Sequence, residues 1–158
     1  MARRYIKAIV TRYKTFRFRS RLEARWAVFF DVLGIEWRYE SRSVDLGWCL
    51  YIPDFWLPQY RMFAEVKPDD FTPKELVKVA ALVAKTNEEC LLLSGPPALK
   101  DYWAVGPGLS QKRNVLTITQ DYPISEGRFP SEIYSSDDEF LHDEIYCRAW
   151  VAARDAKF

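Results

Sequence analysis

YIPDFWLPQYRMFAEVKP, residues 51–68, is the stretch on which the reading of the chain turns. It divides into two extended runs. The first carries Ile52, Pro53, Asp54, Phe55 and Trp56, and the second carries Met62, Phe63, Ala64, Glu65, Val66 and Lys67. Pro58, Gln59 and Tyr60 supply the turn between them. Side chains alternate across a strand, so residues two apart share a face. Glu65 and Lys67 therefore point one way and Val66 the other, while Asp54 lies with Ile52 and Trp56. Antiparallel pairing of the runs brings Asp54 up to Glu65 and Lys67. Two carboxylates and one ammonium then share a small volume within apolar segments, where a charge is costly without a partner.

Side-by-side carboxylates repel, and in a half-buried site one of them tends to keep its proton. A divalent cation removes the conflict. Mg²⁺ prefers hard oxygen ligands and commonly takes one or two carboxylates, several waters and phosphate oxygens. A lysine beside them can orient a nucleophile or steady developing negative charge. Asp, Glu and Lys at this spacing suit metal-assisted hydrolysis of a phosphodiester. The bland alternative is a solvated Glu and Lys on a strand face, preceded by a Pro-Asp turn.

Upstream lies FRFRSRLEARWAVFFDVLGIEWRYE, residues 16–40. Taken with Pro53-Asp54 and Glu65-Val66-Lys67, it resembles the PD-(D/E)XK nuclease superfamily, in a phage and bacterial endonuclease-like branch. The resemblance runs from Tyr13 to Lys67 and more loosely through the helix that follows. It implies a restriction-endonuclease-like core and an Mg²⁺-dependent DNA endonuclease in which Mn²⁺ substitutes. It implies Asp54 and Glu65 as metal ligands, together with the Val66 backbone carbonyl. Lys67 would position or activate the water, and Glu23 would add an acid from the first helix. The implied catalytic set is Glu23, Asp54, Glu65 and Lys67.

A chain of 158 residues, 49% hydrophobic and 16% aromatic, is expected to be one folded domain spanning 1–158. No apolar run reaches the length of a membrane span, and the basic N-terminus lacks the pattern of a secretory signal. Cys49, Cys90 and Cys147 have no CxxC spacing and only His142 for company. They read as reduced thiols of a cytoplasmic protein and not as a zinc site. The resemblance narrows that compartment to a bacterial or phage-infected cell.

Beneath the net charge of +1 lies an asymmetry, with nine basic side chains in residues 1–25 against Glu23 alone. The segment 131–144 is correspondingly acidic. A basic arm over 1–19, interleaved with Tyr5, Tyr13, Phe16 and Phe18, suits a DNA backbone. Lys14, Arg17 and Arg19 of the arm, Arg21 at the start of the first helix and Lys78 on the second helix are the candidate DNA contacts. The alternative is a basic face that pairs with the acidic segment.

In chain order, 4–10 reads as a strand or an ordered arm and 11–19 as a loop. Residues 20–33 form a helix: Ser20 with Glu23 makes a capping box, Leu22, Trp26, Phe29 and Leu33 make its stripe, and Gly34 ends it. A strand over 35–40, a loop over 41–47 and the hairpin of 49–57 with 60–67 follow. Thr72, Pro73 and Glu75 start a second helix whose stripe is Leu76, Val79, Ala80 and Val83. Residues 90–94 read as a buried strand parallel to its partner. Residues 115–119 are a fifth strand, 121–136 a loop, and 137–157 a C-terminal helix capped by Ser136. Phe140, Ile145, Trp150 and Val151 are its apolar candidates. Glu40, Asp45, Asp69 and Asp70 read as turn or surface acids. The expected class is α/β (α+β), a mixed central sheet flanked by helices in the order α-β-β-β-α-β plus the C-terminal helix.

Two other functions fit the same residues. One is a nucleic-acid-binding or assembly protein that keeps the fold without efficient cleavage, since a fold alone does not fix chemistry. The other is a nuclease subunit of a recombination or transposition complex, as a homodimer or within a larger assembly.

Overall fold

The computed structural model describes residues 8–98, 102–107, 118–119 and 139–158, with the backbone alone at 118–119 and 139–146. Thr11–Tyr13 (β1) and Phe16–Phe18 (β2) pair as an antiparallel hairpin. The loop expected over 11–19, and the arm that included it, are therefore corrected from residue 11 onward. The turn has no glycine or asparagine to announce it, because Lys14 itself takes a left-handed φ of 52°.

Ser20 caps Arg21–Val32 (α1), its hydroxyl accepting the Glu23 N–H at 3.1 Å. Ala24, Trp26, Ala27, Val28, Phe29 and Phe30 are buried, whereas Leu22 and Leu33 of the expected stripe are only half-buried. The strand expected over 35–40 shrinks to Arg38–Tyr39 (β3). Val44–Asp45 (β4) and Leu50–Tyr51 (β5) form a second hairpin where a loop and one long strand were expected. Buried Pro53 is what divides that strand, since it has no N–H to give a ladder. Beyond it runs Phe55–Leu57 (β6), and a 3₁₀ turn at Pro58–Tyr60 leads into Met62–Lys67 (β7).

Thr72 and Glu75 form the expected capping box at the start of Pro73–Thr86 (α2). Glu89–Ser94 (β8) then returns parallel to β7. Trp103–Val105 (β9), Ile118–Thr119 (β10) and Glu139–Asp155 (α3) complete the described elements. The helix expected over 137–157 is thus 139–155. Its buried residues include Ala149 and Ala153, while Trp150 is half-buried and Val151 exposed. Ser136, the loop 121–136, residues 4–7, residues 115–117 and the side chains of Phe140, His142 and Ile145 lie outside the described residues.

Six strands form one mixed sheet in the order β10-β9-β8-β7-β6-β3, in which only β7 and β8 run parallel. Alternation along β7 splits the core in two. Met62, Ala64 and Val66 join Phe55, Leu57, Leu91 and Leu93 under α1 and α3. Phe63 joins Cys90, Leu92 and Val105 under Val79, Leu82 and Val83 of α2. Trp26, fully buried, ties the first layer to the sheet edge by donating its Nε1–H to the Gly95 carbonyl at 3.0 Å. The architecture is mixed α+β, a sheet covered by helices on both faces. Among the described residues no helix is long and apolar enough to cross a membrane.

Candidate active site

Phe55 pairs with Ala64 and Trp56 with Phe63. One step further along the same antiparallel register, Asp54 comes opposite Glu65. The interlocking is reciprocal. The Val66 N–H donates to Asp54 Oδ2 at 2.8 Å, and the Asp54 N–H donates to Glu65 Oε2 at 3.3 Å. Lys67, on the same face as Glu65, donates from Nζ to Glu65 Oε1 at 2.7 Å. Asp54 and Glu65 are both buried, at 7% and 4% exposure, and taking two facing carboxylates out of water is costly.

Electrostatics express the conflict. Burial pushes the Asp54 carboxyl well above its usual value of 3.8, and the charges of Glu65 and Glu23 push it further. The Val66 N–H and Lys67 act in the opposite direction and do not restore it. Lys67 is the counterpart. Burial works against its charge, but Glu65, then Asp54 and Glu75, outweigh burial and raise its pKa above 10.5. It is an ammonium at neutral pH, a donor of charge and hydrogen bonds and not a base. Cys90 lies close enough to the two carboxylates that burial and their charges hold its thiol protonated.

Glu23 is placed at the start of α1, buried, and does more than cap. Its Oε1 accepts the Ser20 hydroxyl at 2.7 Å. Its Oε2 accepts the Arg19 N–H at 3.1 Å and the Tyr39 hydroxyl at 2.5 Å. The expected reach to the Ser20 N–H is thus one residue short of what forms. Three donors hold the carboxylate while its charge is still felt at Asp54. Glu23→Gln keeps an acceptor but removes that charge, so the acid limb of the pH–rate profile should move to lower pH. The cost in stability should be about 1 kcal/mol. An unmoved limb with the same small loss of stability would confine Glu23 to the helix start.

Three neighbours escaped the sequence reading. Tyr39 orients Glu23, and its own hydroxyl accepts the Arg19 N–H at 3.0 Å. Tyr51 lies near Glu65, and burial, followed by the charge of Glu65, raises its pKa. Arg42 stacks its guanidinium over Trp56 at 4.3 Å and Phe63 at 4.9 Å, on the face that bears Glu65. Aromatic spacing gave no hint of the tyrosines, because each lies in a separate short strand whose pairing is set only by the fold.

The basic candidates part company. Arg19 pairs with Glu40 beside Glu23, and Arg21 is exposed on the first turn of α1. Arg17 is exposed on β2 and Lys78 is exposed on α2. Lys14 lies further off: it pairs at 2.8 Å with Asp31, which also accepts from Tyr13 and Trp37. Asp31 stands eight residues beyond Glu23 along α1, about 12 Å at the helical rise. Lys14 therefore stands at the far end of α1 from Glu23, with its side chain still half exposed.

The oxygen donors suit a hard divalent cation held from one side. Asp54 Oδ2 and both oxygens of Glu65 take hydrogen bonds, and Asp54 Oδ1 takes none among the described residues. No three His, Cys, Asp or Glu side chains among the described residues converge as a closed cage. Two carboxylates are a ligand number that Mg²⁺ commonly takes, with waters completing its shell. Compared with protein-family models, with curated proteins and with solved structures, the chain matches none.

Proposed function

We propose that the chain is a metal-dependent DNA endonuclease with a restriction-endonuclease-like core of the PD-(D/E)XK kind. The observation that carries this reading is the buried Asp54–Glu65 pair with Lys67 2.7 Å from Glu65. Asp54 and Glu65 would hold Mg²⁺ or Mn²⁺, with the Val66 carbonyl as a further oxygen donor. Such an ion, when bound, polarises a phosphoryl oxygen and relieves the repulsion between the carboxylates. Lys67 aims a positive charge at the place where the attacked phosphate gathers negative charge. Tyr39 keeps Glu23 in place through its hydroxyl. Arg19, Arg21, Arg17, Lys14 and Lys78 are the candidate DNA-backbone contacts, which position a strand without reading its sequence.

The test is a cleavage assay on plasmid, linear, single-stranded and four-way-junction DNA. Purified protein should cut at least one form with Mg²⁺ or Mn²⁺, and chelator should stop it. Cutting that persists in excess chelator, or no cutting of any form with either ion, would sink the reading.

A further inference from the structure

The strands on either side of Asp54 form one ribbon whose register slips by a residue. β3 pairs with β6 as Arg38 with Trp56 and Tyr39 with Phe55, and β4 pairs with β5 as Val44 with Tyr51 and Asp45 with Leu50. Between those pairs, four residues, Glu40, Ser41, Arg42 and Ser43, run beside three, Ile52, Pro53 and Asp54. An extra residue on one side bends the chain that carries it, as a β-bulge does. The bend falls at Glu40, whose φ of 45° is left-handed and whose N–H still reaches the Asp54 carbonyl at 2.8 Å. There the ribbon leaves the six-stranded sheet, and the β4–β5 hairpin packs on the core under α2.

Beyond the bend, alternate side chains turn inward. Val44 and Leu46 pack on the core under α2, and Arg42, two residues before Val44, turns to the same core. Its half-buried side chain sets the guanidinium 4.3 Å from the ring centre of Trp56 and 4.9 Å from that of Phe63. Those two rings are neighbours across β6 and β7. Glu65 follows Phe63 by two residues, so it stands on the same face, about 7 Å further along β7. Arg42 makes no ion pair among the described residues, Asp54 and Glu65 included. A guanidinium half out of water, fixed in its plane and without an anion, is a charge that a ligand can complete.

We propose that Arg42 binds a phosphate of the DNA strand next to the one delivered to Asp54, Glu65 and Lys67. The proposal rests on the nuclease reading for its substrate, and adds the residue that aligns the strand along β6 and β7. The fork of a guanidinium takes two phosphate oxygens at once. The Trp56 and Phe63 rings hold that fork in its plane beforehand, so little freedom is lost when the strand arrives. The step from Glu65 back to the rings matches the step between neighbouring phosphates of a nucleotide strand. The contact sets position and not sequence.

Binding of a labelled single strand and of its duplex, measured in Ca²⁺ over a series of salt concentrations, tests this. Arg42→Met keeps an apolar stem on the rings and removes the charge. It should weaken binding of at least one probe by about tenfold and lower the slope of log K against log salt by about one unit. Arg42→Lys should keep the slope and recover part of the affinity, since it keeps the charge without the fork. In Mg²⁺ the loss should appear in KM, with kcat within about threefold of the parent. A neutral methylphosphonate beside the cut should weaken the parent and leave Arg42→Met as it was, because that contact is already gone. Arg42→Gln serves if Arg42→Met does not fold. Unchanged affinity and slope would overturn the contact. So would weaker binding with an unchanged slope and a lowered melting temperature, which is lost packing on Trp56 and Phe63. A kcat that falls further than the affinity would overturn it too, because Arg42 would then act at the attacked phosphate. A parent that binds neither probe would remove the contact and the nuclease together. A lowered slope in a protein that cuts nothing with Mg²⁺ or Mn²⁺ would keep the contact and remove the nuclease, and cutting with an unchanged slope would do the reverse.

Discussion

Lys67→Ala should lower the single-turnover rate of DNA cleavage by about a hundredfold or more, and change DNA affinity by less than about threefold. The reason is where the charge is held. Lys67 Nζ is fixed 2.7 Å from Glu65 Oε1, and its side chain is only 26% exposed. Its raised pKa, with Glu65 outweighing the opposing effect of burial, keeps it an ammonium throughout the neutral range. It therefore cannot accept a proton, and under the proposed nuclease reading its contribution would be a preorganised positive charge beside the attacked phosphate. Such a charge acts most strongly on the transition state, where negative charge is greatest, so rate should suffer and ground-state binding should not. Equal falls in rate and affinity would make Lys67 a phosphate anchor, and an unchanged rate would return it to an ordinary surface pair. The variant also leaves Glu65 buried without its cation, so melting must be measured alongside to separate lost folding from lost chemistry.

How much of this was legible in the sequence depends on what made each element form. Where a local signal decides, the sequence speaks clearly. Ser20 with Glu23 and Thr72 with Glu75 start α1 and α2 through their own hydrogen bonds. The alternation of 62–67 puts Glu65 and Lys67 together and Val66 apart, and a one-residue slip would have reversed it. Where the decision is tertiary, local pattern fails. Val28 and Phe30 lie off the expected stripe of α1, yet are buried with the rest of the helix in the core shared with the sheet and α3. The run 49–57 looks like one strand because its composition is uniformly β-forming, and only Pro53 signals the break into two sheets. Lys14 looks like one member of a basic arm. Its ion pair with Asp31, seventeen residues later in the chain, is set by the fold and has no local signal. Tyr39, Tyr51 and Arg42 act through partners that no spacing reveals.

Asp54→Asn should raise the melting temperature at neutral pH while abolishing the dependence of stability on divalent ions. Asp54 is buried and faces Glu65, and its pKa in the fold stands well above the ordinary 3.8. The sign follows from proton binding. Between the unfolded and the folded value of this pKa, the folded state holds a proton that the unfolded chain releases. The favourable contribution of Asp54 is therefore complete below its unfolded pKa and is lost as pH rises through the folded value. An asparagine carbonyl still accepts the Val66 N–H, and the amide can face Glu65 without repulsion. The variant should thus escape the decline in stability that the parent suffers as pH rises, and each 1 kcal/mol gained should add about 2–4 °C to Tm in a chain of this size. Mg²⁺ or Ca²⁺ should do for the parent what the substitution does for the variant. An ion at about one hundred times its Kd adds about 2.7 kcal/mol to a fold that alone binds it. That gain should grow with pH in the parent and vanish in Asp54→Asn, whose cleavage should be lost as well. Thermal scans of both proteins across pH, with and without Mg²⁺ and chelator, read all of this at once. A variant that melts below the parent at neutral pH, or that gains as much from Mg²⁺, would show that Asp54 is a structural acid and that the carboxylate pair is not a cation site.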